Sequence, residues 1–525
     1  MKMIEQIAEQ QFSEFYDAVI IGAGNGGLVA AAILALKGAK VLLLERHNLP
    51  GGFASSFVRG RFEFETSLHE LADYGPSTNK GGIRSLFEDK LNLDSEFIEV
   101  PEAFRLILTD PSENIDVVMP FGTEEFLEAI EKEVPGSRDS VKRFLDLGRD
   151  ITNATSYLGA TRGNPDQSVL LKEHSNFLKT TAYTVDDVQN ALNIPEKARK
   201  ILNAYWVYLG LPTNRVNCTI FAVMTYIFML RSAYIPKNRS HGFTTALDAK
   251  IREFGGKIEY NTKVEKILVE NGKVMGVETS NGDKIKTNHV VSNASPTLTY
   301  NKLIYPKSEV PEIAYKEINA RSHAVSTFVV YMGLDASAEE LGLKDYSYFI
   351  YKNMDTEELY ESLNELKTPK VQATICLNRA IPDCSPPGTC ILSITTAYRP
   401  GVWDNVKPEE YFKIKNKIAE ELIDNFEKAT GTSIKEHIEE IEIATPQTFA
   451  RFTGTFNGVV YGYEPDPWDS FIPRLMSMND EKHIEGLEFC GGFGKRCDGY
   501  SSALKDGETA ALLTLQDLIK KGELK

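Results

Sequence analysis

Apolar and polar positions sort this chain into a few clear periods. Asp17 to Ile21 reads as a short apolar strand that runs straight into Gly22-Ala23-Gly24-Asn25-Gly26-Gly27. Leu28 to Leu36, rich in Ala and Leu, then reads as a helix, and Lys40 to Leu44 as a second strand ending at Glu45. Far downstream, Lys263–Val269, Lys273–Thr279 and Asp283–Thr287 alternate around two Asn-Gly pairs, which predicts a β-meander. It returns into an apolar strand, His289 to Val291, and further strands are expected near Ser326–Leu334 and Ile391–Ala397. A helix is expected over Pro408 to Thr430. Cys218 to Leu230 is the longest apolar stretch, yet it falls short of the ~20 residues that span a bilayer. It reads as a buried helix lining a cavity rather than a membrane segment.

The strand–GxGxxG–helix order gives the first glycine loop a chemistry. Gly22 permits the tight turn, Gly24 lets backbone amides approach a pyrophosphate, and Gly27 lets helix and strand pack closely, while the helix N-terminus supplies partial positive charge. Glu45 stands about twenty residues past the glycines, where a carboxylate accepts both ribose hydroxyls of an adenosine. Arg46 is expected to flank the adenosine end or to lie on the surface. A second glycine-rich loop, Gly491-Gly492, feeds a helix close to the end of the sequence. One nucleotide needs one such loop, so the second must hold something else.

Composition narrows the class. At 525 residues, 42% hydrophobic and 25% charged, the chain builds a few globular domains, or one elaborated by insertions. A net charge of −16 argues against a nucleic-acid partner. The six cysteines form no CxxC pair, and the opening residues carry no apolar h-region, so a reducing cytoplasm is the expected setting. Cys490 and Cys497 bracket the last loop at a spacing that suits no usual dithiol and read as small buried groups. Neither a metal-ligand cluster nor GxSxG is present in the sequence pattern.

With these motifs in order along nearly the whole chain, the sequence resembles the phytoene desaturase, carotenoid isomerase and retinol saturase flavoproteins, within the amine-oxidase-like flavin fold. The segments that carry the resemblance are VIIGAGNGGLVAAAILALKGAKVLLLERHNLPGG, FEFETSLHE, TKVEKILVENGKVMGVE with VVSNASP, TPQTFARFTGTFNGVVYGY and GLEFCGGFGKRCDGYSSALKDGETAA. Residues 101 to 231 match only loosely. The resemblance implies an α/β fold: a Rossmann-type FAD-binding domain assembled from three chain segments, with an inserted α+β substrate and lid domain. The segments are 1–100, 240–305 and 450–525 for the cofactor, with a mostly helical insertion at 101–239 and a mixed one at 306–449.

The resemblance also implies that the first loop, Gly22, Gly24, Asn25, Gly26 and Gly27 with Glu45, holds the AMP half of FAD. Val264 would meet the adenine, while Gly51, Gly52 and Ser55 or Ser56 would lie along the diphosphate and flavin. Gly491, Gly492 and the helix starting at Tyr500 or Ser501 would close over the flavin end. Phe53 and Ala54 stand where many relatives carry Arg or Lys. No second GxGxxG follows a strand, so NAD(P)H would only visit the flavin, and oxygen, a quinone or another electron carrier serves equally.

For acid–base chemistry His69 is the first candidate, because a histidine titrates in the useful range; Glu70 beside it is expected to face elsewhere and fix local structure. His241 is a second candidate at the substrate side, and Tyr205, Trp206 and Tyr208 are a candidate tunnel wall. The reading is an FAD-dependent oxidoreductase acting on carbon–carbon bonds of a hydrophobic polyene or long-chain substrate, as desaturase or saturase. A redox-neutral double-bond isomerase shares every motif; an amine oxidase and a flavin-holding assembly subunit are the readings from other classes. A lipid-partitioning substrate leaves peripheral membrane contact open.

Overall fold

The computed structural model describes residues 14–161, 165–477, 483–496 and 499–524; Cys497 lies outside them. Strand β1 (Ala18–Ile21) leads through the glycine turn into helix α1 (Asn25–Leu36) and strand β2 (Val41–Leu44). Helix α1 begins at Asn25, three residues before the expected Leu28, because Gly24 already has the extended conformation of an N-cap. A hairpin, β3 (Ser56–Arg59) and β4 (Phe62–Glu65), follows. Next come β5 (Phe104–Leu108), β6 (Asp116–Met119), the long helix α2 (Arg138–Ala160) and α3 (Cys218–Arg231). Helix α4 (Arg239–Glu253) returns the chain to β7 (Lys257–Glu259), the meander β8 (Val264–Glu270), β9 (Lys273–Thr279) and β10 (Lys284–Lys286), and then β11 (Val290–Ser292). The chain continues through β12 (Ser326–Leu334), β13 (Ser347–Tyr351), β14 (Val371–Cys376) and β15 (Cys390–Tyr398). The last elements are α5 (Pro408–Thr430), β16 (Ile438–Ala444), α6 (Pro446–Thr453), β17 (Leu487–Phe489) and α7 (Tyr500–Lys520).

Five parallel strands in the order β17-β11-β1-β2-β7 make the nucleotide-type sheet, drawing on both ends and the middle of the chain. The arrangement is the α/β, Rossmann-type one. Helix α1 is buried from Gly26 to Ala35, its alanines letting α4 and α7 pack on it closely. The meander forms a separate sheet, and at its first turn Asn271 and Gly272 both have positive φ, 52° and 72°, as a type I′ hairpin demands.

The second large sheet has seven strands, β16-β12-β15-β14-β13-β5-β6. All its pairings are antiparallel except β13 with β5. Strands β5 and β6 come from the stretch expected to be mostly helical. Phe104–Leu108 has a partner in Ser347–Tyr351, some 240 residues away, and no local pattern announces such a pair. Helix α5 ends where Gly431 takes the left-handed conformation (φ 71°), a glycine stop after Thr430.

Candidate functional site

The first loop is shaped by close backbone approach. Gly22 turns at φ 94°, and a Cβ at Gly27 would stand 2.0 Å from the Gly22 carbonyl, so Gly27 serves helix–strand packing and does not line the cavity. A Cβ at Gly26 would meet the amide nitrogen of Gly491 at 2.5 Å, and one at Gly507 would meet the Gly26 carbonyl at 2.2 Å. First and last loops are therefore packed backbone against backbone. Asn293 sits between them, at the carboxyl end of β11 beside β1. Its amide lies where a Cβ on Gly24 or Gly491 would fall, at 2.5 and 2.3 Å, and it accepts the Cys490 thiol proton at 3.6 Å. Sequence reading passed over Asn293; its place at a strand's carboxyl end next to the glycine loop is the signal for it.

Glu45 is held by the loop it follows. Its two carboxylate oxygens accept the backbone N–H groups of Ala23 at 2.6 Å and His47 at 2.7 Å. Arg46 lines the cavity beside Glu45, and its guanidinium donates to the carbonyls of Arg451 and Phe452, both at 3.0 Å, capping the end of α6 at the rim. Gly51 (φ 114°) donates to the Ala23 carbonyl at 2.7 Å, which zips the double-glycine turn to the first loop. Ser55 and Ser56 line the same wall, with Ser56 donating to Glu63 at 2.5 Å. Val264 opens β8 at the far end of the cavity.

Phe53 stacks on Phe449 at 5.6 Å. Its carbonyl accepts the hydroxyls of Thr66 (2.6 Å), Ser67 (3.0 Å) and Tyr500 (2.9 Å). Tyr500 thereby ties the start of α7 to the double-glycine turn, and Ser501 ties it to the segment after Glu70 through the Ala72 carbonyl at 2.6 Å. The first turn of α7 carries no acidic residue and opens on the cavity, with Lys505 one turn further on. Negative charge on a bound group is favoured there.

A single cavity of about 1260 Å³ joins these loops to the second half of the site, larger than the roughly 300–1000 Å³ of an ordinary small-ligand pocket. Beyond the loops it enters a slot between α2 and α3. Ile220, Val223, Met224 and Ile227 face it from α3, at the i, i+3, i+4, i+7 spacing of one helix face. Thr152, Thr155 and Ser156 face it from α2, their hydroxyls bonded back to carbonyls of their own helix. Helices α2 and α3 approach closely where Gly148 meets the Ala222 carbonyl and Tyr226.

His69 lines the cavity with Nε2 2.8 Å from Ser347 Oγ. The residue is half-buried in surface area but densely surrounded, and this desolvation lowers its pKa to about 3. That burial favours the neutral ring. Glu70 does not face elsewhere: it too lines the cavity, 8% exposed, and accepts the Tyr208 hydroxyl at 3.0 Å. Burial raises its pKa to about 8, with the nearby Glu102 adding to the rise. His241 is a further correction. It stands on α4 with Nε2 3.3 Å from Thr245 Oγ1 and is not among the cavity residues, because the helix turns this position away from the slot.

FAD suits these residues. The buried Oδ1 of Asn25 at the start of α1 has no partner among the described residues, the first-turn N–H groups of α1 are left over by helix geometry, and Gly22, Gly24 and Gly26 leave the cavity side of the loop open to close backbone approach. The site is that of a flavin-dependent oxidoreductase. A model of the flavin containing amine oxidoreductases matches residues 26–469, and the chain belongs to this family. It is 24% identical to the all-trans-retinol 13,14-reductase of Danio rerio, across 96% of this chain and 86% of that protein. With the chloroplastic prolycopene isomerase of Daucus carota it shares 27% identity, across 91% of this chain and 76% of the other. Among solved structures, an oxidoreductase from Methanosarcina mazei superposes with a TM-score of 0.60 at 17% identity, covering 95% and 99% of the two chains. Cyclohexylamine oxidase from Brevibacterium oxydans gives 0.60 at 15% identity, covering 96% and 99%. The cofactor is FAD and the protein is an FAD-dependent oxidoreductase.

Proposed function

We propose that the protein acts on a carbon–carbon double bond of a hydrophobic polyene or isoprenoid, as a saturase or desaturase, with double-bond isomerisation as the redox-neutral variant. The observation that carries this reading is the slot between α2 and α3, continuous with the nucleotide loops and walled by Ile220, Val223, Met224 and Ile227. A long apolar chain gains by leaving water for such a wall, at roughly 25 cal/mol per Å² buried. The retinol reductase and prolycopene isomerase relatives act, by their names, on polyenes.

In this reading the flavin, when bound, supplies or accepts hydride equivalents at its ring. The chain's own residues do the rest. Glu45 takes the ribose hydroxyls of the adenosine, and the first turn of α1 takes the diphosphate. Gly51, Gly52, Gly491 and Gly492 let backbone close on the cofactor from two sides. The start of α7, anchored by Tyr500 and Ser501, sets a partial positive charge beside the ring. Phe57, Tyr331 and Phe449 add aromatic surface to the cavity wall and would help to keep water from a bound ring.

Two results test the assignment. Glu45→Ala should retain the fold by circular dichroism yet bind FAD at least tenfold more weakly; full flavin content after dialysis removes the ribose role. Oxidised holoenzyme mixed anaerobically with cyclohexylamine or putrescine should keep its flavin spectrum. Rapid bleaching by either amine would return the protein to the amine-oxidising branch.

A further inference from the structure

We infer that Tyr208 and Glu70 are the proton-transfer pair of the cavity: Tyr208 exchanges a proton with a carbon of the bound polyene, and Glu70 holds the replacement behind it. The inference rests on the polyene reading above and assigns the group that reading leaves open.

Tyr208 ends a short 3-10 turn, Asn203–Tyr208, and presents its ring to the cavity among His69, Phe228 and Phe349, at centroid distances of 5.9, 6.0 and 5.7 Å. Its Oη lies 3.0 Å from Glu70 Oε1. The other carboxyl oxygen, Oε2, is buried without a hydrogen bond of normal geometry among the described residues, the Tyr205 hydroxyl standing near the carboxyl as a weaker partner, and an ionised carboxylate tolerates such a setting poorly. The groups facing Glu70 are His69 on its own segment, Glu102, Tyr205, Tyr208 and Tyr346. His69 is neutral, so no cation among them offsets the charge. Burial therefore keeps Glu70 protonated up to about pH 8.

Protonation reverses the hydrogen bond. The carboxylic O–H donates to Tyr208 Oη, and the phenolic proton turns into the cavity. A polyene π pair can then take that proton as a new C–H bond, while the carboxylic proton moves to Oη and Glu70 is left as a carboxylate. The phenol donates to that carboxylate and stabilises it. Loss of a proton from the carbon skeleton back along the same pair restores both groups, with no change in electron count. A phenol alone, with a pKa well above neutrality, would be a poor acid. The carboxyl behind it is what makes the proton available.

The test uses FAD-loaded wild type, Tyr208→Phe and Glu70→Gln in D2O, with all-trans-retinol and prolycopene as probes. Deuterium in the recovered polyenes is read by mass spectrometry, and the protonated-carboxyl band of Glu70 by infrared difference spectroscopy. Wild type should incorporate deuterium, fastest below about pH 8 and tenfold slower per unit above it. Both variants should retain FAD and its spectrum but label at least 100-fold more slowly. Either variant labelling within threefold of wild type overturns the pair. The infrared band should vanish in Glu70→Gln and titrate near pH 8; its absence from wild type at pH 6 overturns the inference whatever the substrate. Wild type that neither converts nor labels a polyene counts against the polyene reading instead, and the band then decides the pair alone.

Discussion

Gly507→Ala yields a protein without bound flavin and of lowered thermal stability. The reason is backbone, not side chain: the new Cβ would stand 2.2 Å from the Gly26 carbonyl and 2.9 Å from the Gly26 Cα. No rotamer change relieves that contact, so α1 and α7 must move apart. Overpacking of this kind costs about 1–3 kcal/mol, and the displacement falls on the two helix starts that close on the cofactor. The flavin-to-protein absorbance ratio and a melting curve measure both effects. Gly159→Ala is the contrast, since a Cβ there meets nothing within 4 Å and an alanine inside α2 favours the helix by roughly 0.5–1 kcal/mol. A Gly507→Ala protein that purifies with full flavin would show that the two loops are not rigidly packed.

The second large effect is expected at Met224. Tryptophan at this position fills the slot between α2 and α3 without touching the nucleotide loops. Met224→Trp should keep its FAD and its reduction by dithionite. Its turnover of a long polyene should fall at least 100-fold, since the chain no longer enters beside Ile220 and Ile227. Full turnover by this variant would place the substrate elsewhere in the cavity. Flavin content and turnover, measured on one preparation, separate the slot from the cofactor site.

What the sequence made legible was local. The glycine loop with its flanking strand and helix, the carboxylate at Glu45, the Asn-Gly turn of the meander and the Gly431 stop each carry their geometry within a few residues. The apolar run Cys218–Leu230 announced a buried helix, and that helix turns one face to the cavity. Non-local features stayed hidden. Strand β5 has too few residues to declare itself and is fixed by pairing with β13. Asn293 matters because two glycine loops from opposite ends of the chain converge on it, a fact no spacing encodes. His241 failed as a candidate because helix phase turns it from the slot. The sequence reading turned Glu70 away from the site, yet it lines the cavity beside His69. Burial pushes the imidazole down to about 3 and the carboxyl up to about 8, opposite directions that no sequence position announces.

The central claim is that this flavoprotein changes carbon–carbon double bonds of a polyene. Its most direct test is mass-resolved chromatography of lipid extracts from cells with and without the protein. The account predicts a polyene peak that either shifts by two hydrogen masses, giving net oxidation or reduction and its direction, or moves in retention at constant mass, giving isomerisation. Identical polyene profiles, with a primary amine consumed in their place, would contradict it.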